Sequence, residues 1–232
     1  MGRNERVTVV YFFSIPRKAI AFALIRMAID RSRARKFTGI SFAKLLGTGS
    51  GKTFTPRDAD LGRWGLLVVI DRSQLDSFDT SRIISGWRKK STSEFRVILS
   101  PISSHGLWSR ANPFDFTTTL SQPDAQIAAI TRARIKWMKN VIFWKSVPPV
   151  VLDLHANPGL IAALGIGEAP IGLQGTFSLW RSATALREFA YKGAAHQKAI
   201  EQTASIGWYS EELFARFEVL EQRGEITANL AR

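Results

Sequence analysis

The stretch LVVIDRSQLDSF, residues 67–78, predicts a buried strand that leads into a helix, and TFSLWRSATALREF, residues 176–189, has the same pattern. Each copy has an apolar run rich in β-branched or aromatic residues, then an Arg-Ser pair, then a helix start with a Leu and a Phe. A shorter match relates LLGTG at 45–49 to ALGIG at 163–167. The two halves of the chain therefore resemble each other.

Patterns on either side of the first copy give its element order. Strands are predicted at 7–13, 40–46, 63–70 and 95–102, and helices at 14–36 and 73–90, with Gly47 to Asp60 as a loop. This βαββαβ order is the ferredoxin-like arrangement. In the second half, 127–137 and 172–180 are predicted strands and 182–205 a helix, while 213–220 fits a helix or a strand. We expect an α+β fold, a single domain in which two ferredoxin-like βαββαβ halves (about 1–122 and 123–232) form an internal dimeric α/β barrel.

Composition narrows the chemistry. The 232 residues include no cysteine and three histidines, His105, His155 and His196. Disulfides, thiolate-bound metals and cysteine nucleophiles are thus excluded. His105 is expected in a loop after a strand, and His155 in a polar turn ahead of Pro158.

The net charge of +13 is concentrated near the N-terminus. Seven Lys and Arg residues lie between 17 and 36, opposed by Asp30 alone. Such a segment suits an anionic membrane surface or nucleic acid, or is a basic face in water. A packed core helix with a basic exposed end is equally compatible. No signal peptide and no bilayer-spanning stretch is readable, so we expect a cytoplasmic protein, with peripheral contact at the inner membrane left open.

The segment GTGSGKT, 47–53, resembles a phosphate-binding loop. That motif needs a glycine at position 46, which is Leu46, and a helix after the lysine, which Pro56 disfavours. A glycine turn that lines a pocket between the halves is the better interpretation.

His196 is the histidine that the pattern places on a core face. On the predicted helix it follows Phe189 by seven residues and precedes Ile200 by four, so the three share one face. Gly193 and two alanines beside it leave open volume. A satisfied core histidine and a ligand to a flat, bulky group are both compatible with this placement.

Five blocks resemble the spheroidene monooxygenase family, the ketolases of acyclic carotenoids: 44–56 (KLLGTGSGKTFTP), 165–170 (GIGEAP), 174–180 (QGTFSLW), 189–196 (FAYKGAAH) and 207–217 (GWYSEELFARF). The resemblance implies a haem-dependent monooxygenase that forms a C-2 ketone on a spheroidene-type substrate. It further implies haem b, O₂ and a ferredoxin-type electron-donor protein as cofactors and partners. It also implies a haem iron held by a helical histidine, a role that falls on His196. The C-terminal residues 225–232 and the basic N-terminal helix depart from the family pattern.

Further site residues follow from that expectation. Arg132 and Arg134 are candidate partners of the haem propionates, or else solvent-facing strand residues. Phe177 and Trp180 are candidate walls of the haem pocket, or else ordinary core aromatics. Phe189 and Gly193 belong to the same site through the helix of His196.

Two other classes compete with the oxygenase. A haem-binding or apolar-ligand-binding protein without catalysis would leave the same pattern. A nucleic-acid-binding protein would explain the charge, but the tryptophans and phenylalanines fall in strands and apolar helices, with no stacking platform. Nucleic acid is therefore an unlikely partner, and an apolar polyene the expected one.

Overall fold

The computed structural model describes residues 5–55, 58–115, 122, 124–136, 140–168, 175–192 and 209–226. Its strands are β1 (Arg6–Ser14), β2 (Ile40–Gly49), β3 (Ala59–Asp71), β4 (Ser93–Gly106), β5 (Ile127–Ile135), β6 (Leu160–Gly167), β7 (Gly175–Trp180) and β8 (Tyr209–Arg223). Its helices are α1 (Ile20–Arg35), α2 (Leu75–Asp79), α3 (Arg82–Arg88), α4 (Asn140–Ala156) and α5 (Ala183–Lys192). The chain has the predicted α+β fold.

The eight strands form a closed antiparallel barrel in the order β1-β3-β2-β6-β7-β5-β8-β4. Within β1 to β4 and within β5 to β8 the strand order is the same. The two sets join where Gly47 pairs with Gly167 between β2 and β6, and where Pro101 pairs with Phe217 between β4 and β8.

Alternation along the strands divides the apolar residues into three layers. Inward-facing side chains fill the barrel, among them Val10, Leu67, Val97, Ile130, Leu164 and Phe217. The outer face of the first four strands packs on α1, α2 and α3. The outer face of the second set packs on α4 and α5, with Trp180 and Leu186 in that layer.

Several elements differ from the sequence prediction. The helix expected over 73–90 is two helices, because Ser81 caps α3 by accepting a hydrogen bond from the Ile84 amide (3.5 Å). The ambiguous segment 213–220 is strand β8, where Leu213, Ala215 and Phe217 point inward and Phe214 is exposed. His105 lies in β4 opposite Phe214, not in a loop.

Helix α4 and strand β6 had no counterpart in the prediction. Helix α4 contains Pro148 and Pro149, a pair that argues against a helix in sequence, and β6 is short with two glycines. Because α4 extends to Ala156, His155 lies in its last turn and not in a free turn.

Candidate functional site

Aromatic side chains are concentrated in the layer between the outer face of strands β5 to β8 and helices α4 and α5, which we call the aromatic layer. Trp180, at the end of β7, meets Phe189 of α5 with ring centroids 5.2 Å apart. The Trp180 indole donates to Ser178 Oγ at 2.9 Å, so its N–H is satisfied inside the layer. Leu186 and Phe54 complete an apolar surface on the outer side of the barrel.

Phe54 reaches this layer from the glycine loop of the first half. Gly51 has φ +81°, and a Cβ there would lie 2.2 Å from the Ala163 carbonyl oxygen of β6. Only glycine allows both the left-handed backbone and this close approach. The loop therefore packs on the second half of the chain; that it lines a pocket there stays a prediction.

The same loop is not built to hold phosphate. The carboxylate of Asp58 accepts the backbone amides of Thr53 and Phe54, each at 3.2 Å, and also the Ser50 hydroxyl. These two amides are thus not available to a phosphate, and in the described part of the chain no α-helix begins between Lys52 and β3.

His155 brings an imidazole to the edge of this layer. Its Nε2 lies 2.8 Å from the Gly51 carbonyl oxygen, and its ring is near-parallel to that of Phe54 at 6.3 Å. A carbonyl oxygen only accepts, so Nε2 carries the proton. In the neutral ring Nδ1 is then a bare acceptor, and it is buried without a hydrogen-bond partner among the described residues.

The predicted aromatic pair is split between two layers. Phe177 lies inside the barrel, where it meets Phe12 edge-on at 5.3 Å, whereas Trp180 lies on the helix side. Residues three apart on a strand face opposite sides, so these two rings do not wall one pocket. Phe189 joins Trp180, while Gly193 and His196 lie outside the described residues.

The predicted arginines are also separated from the aromatic layer. Arg132 points into the barrel on the same face of β5 as Ile130. Its side chain is 2% exposed and pairs with Glu168 (3.1 Å) and Glu211. Arg134, two residues further along β5, is exposed.

Arg132 belongs to a charged cluster at one mouth of the barrel, which we call the mouth cluster: Lys44, Arg132, Glu168, Glu211, Trp108 and Ser109. Lys44 Nζ lies 2.5 Å from Glu168 Oε2 and 2.6 Å from Ser109 Oγ. Trp108 Nε1 donates to Glu168 Oε1 at 2.8 Å. The cluster joins β2 and the segment after β4 to the ends of β5, β6 and β8.

These contacts set the charge states. Burial lowers the pKa of Lys44, and the salt bridge with Glu168 opposes that effect only in part. Burial alone would raise the pKa of Glu168, but the hydrogen bonds from Lys44 and Trp108 together with the charges of Lys44 and Arg132 outweigh it, and the pKa lies below its ordinary value. Burial alone would raise the pKa of Glu211, but the Arg110 and Ser109 amides (2.7 and 3.1 Å) together with the hydrogen bond and charge of Arg132 outweigh it, so this pKa is also lowered.

Sequence reasoning missed Lys44, Glu168 and Glu211. Strand alternation could have identified Lys44. It precedes Leu46 by two residues in β2, so an inward-facing Leu46 places the lysine on the apolar inner face as well. Glu168 and Glu211 lie within blocks that carry the family resemblance. Their pairing spans up to 124 residues and is not readable from local pattern.

Within the described ranges, no three His, Asp or Glu side chains come together as a metal site. No helix in the same ranges is long and apolar enough to cross a bilayer.

Comparison with solved structures supports the fold. A crystal structure of aldoxime dehydratase superposes with a TM-score of 0.55 at 14% identity, covering 93% of this chain and 82% of that one. A second, in complex with butyraldoxime, gives 0.54 at 12% identity, with 94% and 82% covered. At such identities the likeness concerns the α+β fold alone.

No family model matches the chain. Three curated relatives do, and each is a spheroidene monooxygenase. That of Rhodobacter capsulatus is 31% identical over 210 residues (89% of this chain, 86% of that protein). Those of Rubrivivax gelatinosus and Cereibacter sphaeroides are 35% and 34% identical, over 80% and 77% of this chain and 71% and 56% of theirs.

The relatives and the fold together show that the chain is an enzyme, a monooxygenase with a ferredoxin-related α+β fold. It belongs to the spheroidene monooxygenase family.

Proposed function

We propose that this monooxygenase is haem-dependent and oxidises an acyclic carotenoid, forming a ketone at C-2 of a spheroidene-type substrate with O₂ and an external electron-donor protein. The observation that carries the proposal is 31% identity to a spheroidene monooxygenase across 89% of the chain. Two hydroxylations at one carbon followed by loss of water give the ketone. Each hydroxylation consumes one O₂, two electrons and two protons.

In our proposal the haem binds at the aromatic layer. The chain has no cysteine, so an imidazole is the expected axial ligand. The layer is apolar, contains Trp180 and Phe189, and packs on helix α5 (Ala183–Lys192). The sequence predicts one helix over 182–205, and His196 lies in the part of that prediction that follows α5. Haem bound there would supply the activation of O₂.

Each nearby side chain then has a task in the proposal. His196 holds the iron, and Gly193 leaves space beside the imidazole. Trp180 and Phe189 exclude water from one side of the group. Arg132 already pairs with two carboxylates, and Arg134 lies on the same face of β5 as Arg132, away from the aromatic layer, so neither is assigned to the propionates.

We also propose that residues 1–122 and 123–232 are two copies of one unit within a single domain, equivalent to the two subunits of a dimeric α/β barrel. The equal strand order of the two sets and their two antiparallel junctions support this.

The test is turnover of the haem-reconstituted chain with spheroidene, O₂ and a reduced ferredoxin. A keto product that needs both O₂ and reductant, and that the His196→Ala variant does not form, is expected. No keto product from spheroidene or lycopene, despite bound haem, would favour a haem or apolar-ligand carrier.

A further inference from the structure

Helix α1 has one packed face and one open face. Ala23, Met27, Asp30 and Ala34 are buried against the first sheet and α3. The opposite side of the helix has no neighbouring element in the described part of the chain.

The open face is apolar in its centre. Leu24, Ile25 and Ile29 are 42%, 59% and 43% exposed, and Ala21 and Ala28 are exposed between them. At 100° per residue these five side chains occupy an arc of about 140°. Three large aliphatic side chains on neighbouring turns make a continuous apolar surface, where a helix of a soluble domain normally presents polar groups.

Basic residues bound this surface at both ends. Arg17 and Lys18 precede it, and Arg31, Arg35 and Lys36 follow it; all five are exposed. None of them has an ion-pair partner among the residues that the structure describes. By helical rotation Arg35 lies within the same arc as the apolar side chains, and Arg31 lies at its edge. Arg17 and Lys18 lie in the 3-10 turn directly before α1, and Lys36 directly follows the helix.

The acidic residue of α1 does not neutralise this charge. Asp30 is fully buried, where Arg26 (2.6 Å), Arg33 (3.6 Å) and the Trp87 indole N–H (3.1 Å) hold it. The Trp87 indole, together with the hydrogen bonds from Arg26 to the Arg82 and Ile83 carbonyl oxygens, fixes the helix to α3 and determines which face points outward.

We propose that the outer face of α1 binds the surface of an anionic lipid bilayer. The apolar side chains would enter the boundary between headgroups and acyl chains while the basic ones contact lipid phosphates. Nucleic acid would satisfy the charges but leave Leu24, Ile25 and Ile29 against phosphates. A second copy would bring two such basic surfaces together. The inference stands on exposure and charge, so it holds whether or not the chain oxidises a carotenoid.

The test is flotation of the full chain with vesicles of phosphatidylcholine, with and without phosphatidylglycerol, at low and high salt. Binding to the anionic vesicles that weakens with salt is expected. Since each basic residue near an anionic surface contributes about fivefold, Arg31→Gln with Arg35→Gln should weaken partitioning about 25-fold. Ile25→Gln with Ile29→Gln should weaken it by at least about tenfold.

The matched control is Arg181→Gln with Arg187→Gln, which removes two exposed charges from the second half and should change partitioning much less. Circular dichroism verifies that every variant is folded. Equal binding to neutral vesicles, or equal loss in the control, would overturn the proposal. So would stronger salt-sensitive binding to duplex DNA than to vesicles, or a dimer that Ile25→Gln with Ile29→Gln dissociates.

Discussion

Replacing Glu168 by Gln should destabilise the fold, because it removes the negative charge that compensates the buried Lys44 in the mouth cluster. Lys44 is 2% exposed and Glu168 is 23% exposed, with 2.5 Å between their charged atoms. Loss of one partner leaves a buried ammonium ion, for which about 3 kcal/mol of unfolding free energy is expected. For a chain of this length that corresponds to a Tm lower by about 9 °C.

A double-mutant cycle separates this coupling from general damage. Lys44→Met should cost only about 1 kcal/mol, because Glu168 keeps Arg132 and Trp108 as partners. The double variant should lose about 2 kcal/mol, which gives a coupling free energy of about 2 kcal/mol between the two side chains.

The assay is urea unfolding followed by tryptophan fluorescence and circular dichroism. The control is Glu5→Gln, which removes a 71% exposed carboxylate that lies 3.6 Å from the 53% exposed Arg72; an exposed pair contributes at most about 1 kcal/mol. A loss in Glu168→Gln no larger than in this control, or additive losses in the cycle, would refute the reasoning.

The other predictions concern the pH dependence of stability, the backbone at Gly51 and the affinity for haem. The folded pKa of Glu168 lies below its ordinary 4.5, so its contribution is complete above that pH and is lost as the pH falls through the folded pKa. Stability should therefore drop more steeply on acidification in the wild type than in Glu168→Gln, and parallel curves would contradict this. Gly51→Ala should cost about 2 kcal/mol, because the residue has φ +81° and its Cβ would meet the Ala163 carbonyl oxygen; an unchanged Tm would be the contrary result. Trp180→Leu should lower haem affinity more than Phe177→Leu, which lies in the barrel interior; equal effects in a haem titration would refute the two-layer assignment.

The first half of the fold was readable because its strands are unbroken β-branched and aromatic runs. In the second half, Pro148 and Pro149 hid α4, since proline normally ends a helix. Packing of Val151 and Leu154 against the sheet stabilises the helix despite them. Such tertiary contacts leave no local pattern.

In the candidate site, contacts between neighbouring elements could be predicted from the sequence, and contacts between distant segments could not. Trp180 and Phe189 were both expected at it, and they do meet, because a strand and the helix after it share one layer. Phe177 and Trp180 were expected to wall one pocket or to be ordinary core aromatics, and strand alternation places the two rings on opposite faces of β7. Lys44 and Glu168 meet only through barrel closure, which joins segments 124 residues apart.

The absorption spectrum of the purified, haem-reconstituted chain tests the central proposal most directly. A Soret band that is lost in His196→Ala and retained in His105→Ala and His155→Ala is the expected result. An unchanged band in His196→Ala, or no haem-specific band in the wild type, would contradict it.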